Sequence, residues 1–206
     1  NEITYLDNEK FLKFTPNSDV LNKRNKRAKQ LYKLIPNNFN ITDNFMYYDW
    51  VDGKTLYEND DLLVFVNFLK VLNNNLKNIK KGNVDDIRKF YITKTKDRYK
   101  QFVQKYGTDY SALEHEINGK KRPCIEKLLF DNKKFDVLDD NPFYDLFHGD
   151  LQFDNIIYNS KENKFYYIDW RDSFGDSVES GDIYYDLARS EEHTSELQSQ
   201  STISYA

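Results

Sequence analysis

Phe147-His148-Gly149-Asp150-Leu151-Gln152-Phe153-Asp154-Asn155-Ile156-Ile157-Tyr158, followed after a polar turn by Phe165-Tyr166-Tyr167-Ile168-Asp169-Trp170, decides how this chain is read. An Asp precedes an Asn by five positions, and a second Asp closes the next apolar run. Phosphoryl transfer needs these groups. One carboxylate accepts a proton from a hydroxyl, while an amide oxygen and a second carboxylate hold a hard divalent cation on nucleotide phosphates. Asp-x-x-x-x-Asn alone is ordinary turn chemistry. The signal lies in the whole set: His148, Asp150 and Asn155 in register, a hairpin, then Ile168-Asp169. His148 reads as a backbone tether, because Asp150 already fills the role of base.

Local geometry supports the grouping. Asn155 to Tyr158 and Phe165 to Ile168 are β-branched and aromatic runs, and Asn159 to Lys164 between them has hairpin character. A turn centred near Glu162 places Asn155 opposite Asp169 across an antiparallel pair, roughly 5 Å apart. Two oxygen ligands at that spacing suit one shared cation. Asp150 then stands ready to face a phosphoryl acceptor.

Phe147 to Tyr158 resembles the catalytic loop of the aminoglycoside phosphotransferase and choline kinase superfamily. Ile168-Asp169-Trp170-Arg171-Asp172-Ser173-Phe174-Gly175 and Gly181-Asp182-Ile183-Tyr184-Tyr185-Asp186-Leu187-Ala188 strengthen the likeness, which extends weakly back to Glu2. They resemble a bacterial branch associated with capsule or cell-envelope saccharide synthesis. Protein kinases share the loop spacing, but Trp170 and Arg171 stand where they carry Phe and Gly, which favours the small-molecule branch. The resemblance implies an α+β, protein-kinase-like bilobal fold with ATP and Mg²⁺ as cofactors and a small-molecule hydroxyl as acceptor. Such an acceptor is a sugar, an amino alcohol such as choline, or an aminoglycoside. Asp150 becomes the catalytic base, and Asn155 and Asp169 become metal ligands. Two other readings stay open: a nucleotide-binding pseudokinase with a regulatory role, and a metal-dependent phosphohydrolase.

Upstream, Ile3 to Leu6 and Lys10 to Phe14 read as a β-hairpin, and Asn17 to Leu34 as a helix that stops before Pro36. This hairpin and helix are what a truncated N-lobe over residues 1–50 retains; residues 51–189 form a partial, mostly helical C-lobe with the catalytic-loop hairpin. Lys13 is the candidate ATP-phosphate lysine by its place on the second strand. The helix offers it no Glu, and no glycine precedes Gly53 to build a phosphate-covering loop. Phe45 to Tyr57 resembles the inter-lobe segment whose backbone meets adenine. Asn59 is the expected cap of a helix running through Leu62, Phe65, Leu69 and Leu76. A second amphipathic helix through Ile87, Phe90, Lys94 and Phe102 reads as packing, and Glu116 to Gly119 as a loop able to touch substrate. Asp182 reads as a helix cap and as the structural Asp beneath the catalytic loop. Asp172, Asp176 and Glu179 read as a solvated acidic loop.

The balance of charge excludes some partners. A net charge of −4 without a basic, aromatic-interleaved patch argues against nucleic acid. No apolar run reaches membrane-spanning length and no signal peptide is visible, so a cytoplasmic enzyme fits. One cysteine, Cys124, permits no internal disulfide. Both ends look incomplete. The residues from Arg189 to Ser199 are in order the translation of a widely used short-read sequencing adapter, and Ile203 to Ala206 match its later segment. Residues 190–206 are therefore expected to be an artefactual, disordered tail, with Arg189 assignable to either side. The chain reads as a gene fragment, itself weakly folded or inactive, of an active parent.

Overall fold

A computed structural model describes residues 3–6, 9–76, 78–107, 114–124, 127 and 132–191 as a mixed α+β chain of helices and small antiparallel sheets. The expected first hairpin forms with the expected bounds. Strands β1 (Ile3–Leu6) and β2 (Lys10–Phe14) pair with Ile3 opposite Phe14. Helix α1 (Ser18–Gln30) follows, with the Asn17 side chain accepting the Asp19 N–H at 3.0 Å. Strands β3 (Asn40–Thr42) and β4 (Phe45–Asp49) complete a four-stranded sheet in the order β1-β2-β4-β3. Met46 and Tyr48 alternate inward from β4, bury against Leu21 of α1, and take Ile168 into the same cluster.

Helix α1 ends at Gln30, earlier than the expected Leu34. Pro36 sets only an upper limit on the helix, and tertiary packing sets the actual end. Leu31 and Ile35 turn out of helical geometry to bury against Ala28 and Trp170. The Trp170 indole donates to the Arg24 carbonyl at 3.2 Å and meets Phe39 edge-on at 5.2 Å.

Downstream, β5 (Lys54–Thr55) pairs with β10 (Ile156–Asn159), which pairs with β11 (Lys164–Tyr167). Helix α2 (Leu62–Asn75) buries Val64, Phe68 and Leu72 against Leu151, Ile156, Phe165 and Tyr167. Its cap is Asp61, which accepts the Leu63 N–H at 2.8 Å. Asn59 instead accepts the Asp61 N–H at 3.1 Å and folds the turn that leads in. Strands β6 (Ile79–Lys81), β9 (Pro142–Tyr144) and β12 (Gly181–Asp182) form another small sheet with β9 central.

The expected second long helix is interrupted. Helix α3 (Val84–Arg88) passes through a π-helical turn, Lys89–Thr93, into α4 (Lys94–Tyr106). A wider turn of this kind displaces side chains from the 3.6-residue period and recurs at functional sites. The hairpin β7 (Glu114–Ile117) and β8 (Lys120–Pro123) turns through Asn118 and Gly119, both at positive φ. Glu116 to Gly119 is thus strand and tight turn rather than open loop. Residues 183–191 form the helix labelled α5, which continues through Ser190 and Glu191; the Ser190 hydroxyl donates to the Leu187 carbonyl at 2.7 Å. Those two residues are ordered helix rather than tail, and residues 192–206 lie outside the described set. Among the described residues no helix is long and apolar enough to cross a membrane.

Candidate active site

The loop from His148 to Asn155 is held from beneath by buried polar groups. His148 is fully buried, and its Nδ1 accepts the Asp150 N–H at 3.1 Å. The proton therefore sits on Nε2, which donates to the Ile168 carbonyl at 2.9 Å. Burial lowers the imidazole from its usual 6.5 to about 4, against the Ile168 carbonyl and the charge of Asp150, which pull it up. His148 is neutral at pH 7 with both nitrogens engaged, which makes it a tether. Gly149 follows at φ 84, and a Cβ there would stand 2.5 Å from Cβ of Arg171. Arg171 also staples the loop, through N–H to the His148 carbonyl (2.9 Å) and Nε to the Gly149 carbonyl (3.0 Å).

The carboxylate beneath the loop belongs to Asp186. It accepts the N–H groups of His148 (2.7 Å) and Gly149 (2.8 Å) and the hydroxyl of Tyr144. Burial raises Asp186 to about 6, and the Tyr144 bond, the two amides and Arg27 restrain the rise. Arg27 on α1 is fully buried and lies over the Phe147 ring at 5.2 Å. Burial lowers its guanidinium to about 10, with Asp186 the largest opposing charge, so it stays cationic at neutral pH. Asp182, expected in this place, caps α5 through the Tyr184 N–H at 2.8 Å and accepts from Tyr91 and Asn141, each at 2.7 Å.

The four residues singled out from the sequence form two side-chain pairs. Asn155 Nδ2 donates to the Asp150 carbonyl at 2.9 Å and reaches Asp150 Oδ2 at 3.4 Å. Lys13 Nζ donates to Asp169 Oδ1 at 2.6 Å. Backbone joins the pairs, because the Ile168 N–H donates to the Asn155 carbonyl at 3.0 Å. Lys13 is 7% exposed, and its partner comes from the strand end at Asp169 instead of from α1. Asp169 sits at φ 54, a strained conformation for a residue with a Cβ.

The hairpin register differs by one residue from the sequence expectation. Ile156 faces Tyr167 and Asn159 faces Lys164, so Asn155 pairs with Ile168 and not with Asp169. The turn is the four residues 160–163, with Asn163 at φ 51, and its centre falls ahead of Glu162. Asn155 itself closes a short 3₁₀ turn, Phe153–Asn155.

The donor atoms fit a hard cation. Asn155 makes both of its contacts through Nδ2, which leaves Oδ1 as a ligand, and Asp169 retains Oδ2 beside the oxygen bonded to Lys13. One amide oxygen and one carboxylate oxygen suit Mg²⁺, which takes few protein ligands and completes its shell with phosphate and water. Among the described residues no three His, Cys, Asp or Glu side chains gather as a self-sufficient metal site. A second group also holds Asp150: Arg189 on α5 donates to Oδ1 from Nε (2.9 Å) and Nη2 (2.7 Å).

Asp186, Arg27, Tyr144 and Arg189 were not foreseen as parts of this site. Asp182 and Asp186 stand four apart on an otherwise apolar helix start, which marks two inward carboxylates. Nothing local distinguishes which of them meets the loop. Of the acidic residues between Asp169 and α5, Asp176 is an ion-pair partner of Lys89 at 2.5 Å, and Asp172 accepts from Ser173 at 3.4 Å. In the segment expected to meet adenine, the N–H groups of Asp49 and Trp50 bond the carbonyls of Asn37 and Glu9. No protein-family model, curated protein or solved structure matches the chain.

Proposed function

We propose that this chain carries the catalytic centre of an ATP- and Mg²⁺-dependent phosphotransferase with a kinase-like bilobal fold, acting on a hydroxyl of a small molecule. One observation carries the reading. Lys13 meets Asp169, Asn155 meets Asp150, and a single backbone bond from Ile168 to Asn155 joins the two pairs. A cation donor, two metal-ligand oxygens and a carboxylate base thus share one small region.

In this reading Asn155 Oδ1 and Asp169 Oδ2 would hold Mg²⁺, which would offset charge on the ATP phosphates when bound. Lys13, bonded to Asp169, would add a second positive charge beside them. Asp150 Oδ2 faces the acceptor and takes the hydroxyl proton. The acceptor oxygen forms its bond to the γ-phosphorus as the bond to the β–γ bridging oxygen breaks, and ADP leaves with that electron pair. Asn155 fixes Asp150 through two contacts, and the neutral His148 fixes the turn beneath it, so the base needs little reorganisation.

The test is ATP consumption with a panel of sugars, amino alcohols and aminoglycosides, comparing the chain with Asp150→Asn. Acceptor-dependent ADP release that Asp150→Asn depresses by about 10²-fold or more, with nucleotide binding intact, supports the reading. Equal loss of both would make Asp150 structural, and phosphate release without any acceptor would favour a phosphohydrolase. A second reading, a nucleotide-binding regulatory protein without turnover, draws on the two bonds by which Arg189 occupies Asp150 Oδ1.

A further inference from the structure

Lys94, Phe90 and Arg171 border a cleft of about 240 Å³ that Asp172, Ser173, Lys89 and Gly175 complete. Its walls are built by two irregularities. The π-turn at Lys89–Thr93 carries Phe90, and Lys94 follows it with its N–H bonded to the Lys89 carbonyl. Gly175, at φ 61, lets the opposite wall approach α3, where a Cβ would stand 2.6 Å from Cα of Asp86.

The cleft holds an excess of positive charge, with Lys94 and Arg171 set against the single carboxylate of Asp172. Lys94 Nζ lies 4.6 Å and the Arg171 guanidinium 5.2 Å from the centre of the same Phe90 ring. Among the described residues neither cation has an ion-pair partner, and the Lys94 ammonium donates no hydrogen bond, while Arg171 donates to the Gly149 carbonyl and the Tyr185 hydroxyl. The groups that act on Lys94 are Arg171 and Arg98, which repel its charge, and Asp172 and Asp150, which support it. Burial first and the two arginines second lower Lys94 to about 8. Two nearby carboxylates have cation partners, Asp176 with Lys89 and Asp150 with Arg189. Among the described residues this leaves Asp172, bonded only to the Ser173 hydroxyl, as the one carboxylate set against the Lys94 and Arg171 pair. A cation pair over an aromatic face, short of counter-charge, is a site for an oxyanion.

The same residues connect to the proposed base. Arg171 donates to the carbonyl of Gly149, the residue before Asp150, and the Asp150 charge adds the smallest of the electrostatic contributions at Lys94. The volume is roughly that of eight waters, enough for a carboxylate or phosphate group and the carbons that carry it.

We propose that this cleft binds the anionic end of the phosphoryl acceptor, a carboxylate or phosphate borne on the same small polyol whose hydroxyl meets Asp150. The inference rests on the phosphotransferase reading and narrows it to hydroxylated anions. Lys94 is a substrate-binding residue in this account, and Arg171 both binds the anion and braces the loop.

The experiment compares gluconate, sorbitol 6-phosphate, sorbitol and choline as acceptors at saturating ATP and Mg²⁺, in the wild type, Lys94→Met and Lys94→Arg. The expected result is a kcat/KM at least tenfold higher for one of the two anions than for sorbitol or choline. Lys94→Met raises KM for that anion at least tenfold with a small change in kcat, and Lys94→Arg restores most of it. The two anions distinguish carboxylate from phosphate. In parallel, ¹³C-labelled lysine reports the titration of Lys94, which shifts upward when the preferred anion is added without nucleotide. Turnover that prefers sorbitol or choline, or an equal loss for all acceptors in Lys94→Met, overturns this inference alone. A Lys94 titration unmoved by either anion does the same. Anion binding at Lys94 with no transfer to any acceptor overturns the phosphotransferase reading, and the acceptor role of the cleft with it.

Discussion

Lys13 and Asp169, 156 positions apart in the chain, are joined by a 2.6 Å ion pair whose lysine is buried and whose carboxylate is partly open. The asymmetry matters for what removal does. Lys13→Met deletes a charge in a dry setting but leaves Asp169 able to find water, so the stability cost stays near 1–2 kcal/mol. The phosphotransferase reading expects a much larger functional effect, a fall of about 10²-fold in kcat/KM for ATP. Chemical denaturation and a coupled ADP assay on the same sample separate the two. A kinetic loss no larger than the stability loss explains would reduce Lys13 to a structural cation.

Arg189 competes for Asp150. Its two donors engage Oδ1, so Arg189→Ala returns that oxygen to solvent. If Asp150 is a base held idle by this contact, Arg189→Ala raises acceptor-dependent turnover several-fold, about 1 kcal/mol in barrier. Steady-state kinetics of the single variant measure it. No turnover before or after the change favours the regulatory reading.

Two buried groups beneath the loop drive stability with pH in opposite directions. His148 falls from 6.5 to about 4 on folding, so the unfolded chain binds more protons between those values and stability rises with pH through that window. Asp186 rises from 3.8 to about 6, so the folded chain binds more protons and stability falls as pH rises from about 4 to about 6. Each corresponds to about 3 kcal/mol at most, and together they nearly cancel. Urea denaturation of the wild type is expected to be almost flat between pH 4 and 6.5 in their contribution. Asp186→Asn removes one arm, so stability then climbs with pH by up to about 3 kcal/mol. His148→Asn leaves the falling arm. Parallel pH profiles for the two variants would rule out this pairing.

Trp170 anchors α1 to the strand end that carries Asp169. It is 1% exposed among Ala28, Leu31 and Ile35, and its indole bonds the Arg24 carbonyl. Trp170→Ala is expected to cost about 3–5 kcal/mol, a large part of a domain's whole stability. Trp170→Phe keeps most of the packing and loses the indole hydrogen bond, for about 1 kcal/mol. Guanidinium denaturation of both variants distinguishes packing from hydrogen bonding as the anchor.

Local patterns made the first hairpin and the start of α1 near Asn17 legible, because strand alternation and the onset of a helical period depend on neighbours a few residues away. The end of α1 was not legible, since Leu31 leaves the helix to meet Trp170, far along the chain. The cap of α2 moved from Asn59 to Asp61 because two Asx side chains in series both offered themselves. In the site, Asp150, Asn155, Asp169 and Lys13 stood out by residue type and spacing. Their grouping into pairs did not, because one residue of hairpin register separates Asn155–Ile168 from Asn155–Asp169. Asp186 and Lys94 depend on long-range partners. Lys94 sat inside a helical period that favoured a packing role until the π-turn carried it to the cleft.

Ile168, Asp169 and Trp170 enter three environments in consecutive steps: the cluster with Met46, the ion pair with Lys13, and the cluster with Leu31. The segment therefore acts as a ruler with no slack. Deleting a residue from β11 would rotate all three side chains out of their sites at once. The turn at 160–163 lies outside this constraint, with Lys161 and its partner Asp52 mostly exposed. Length variation in this hairpin is thus confined to its tip, and a tag inserted there would leave the measure intact.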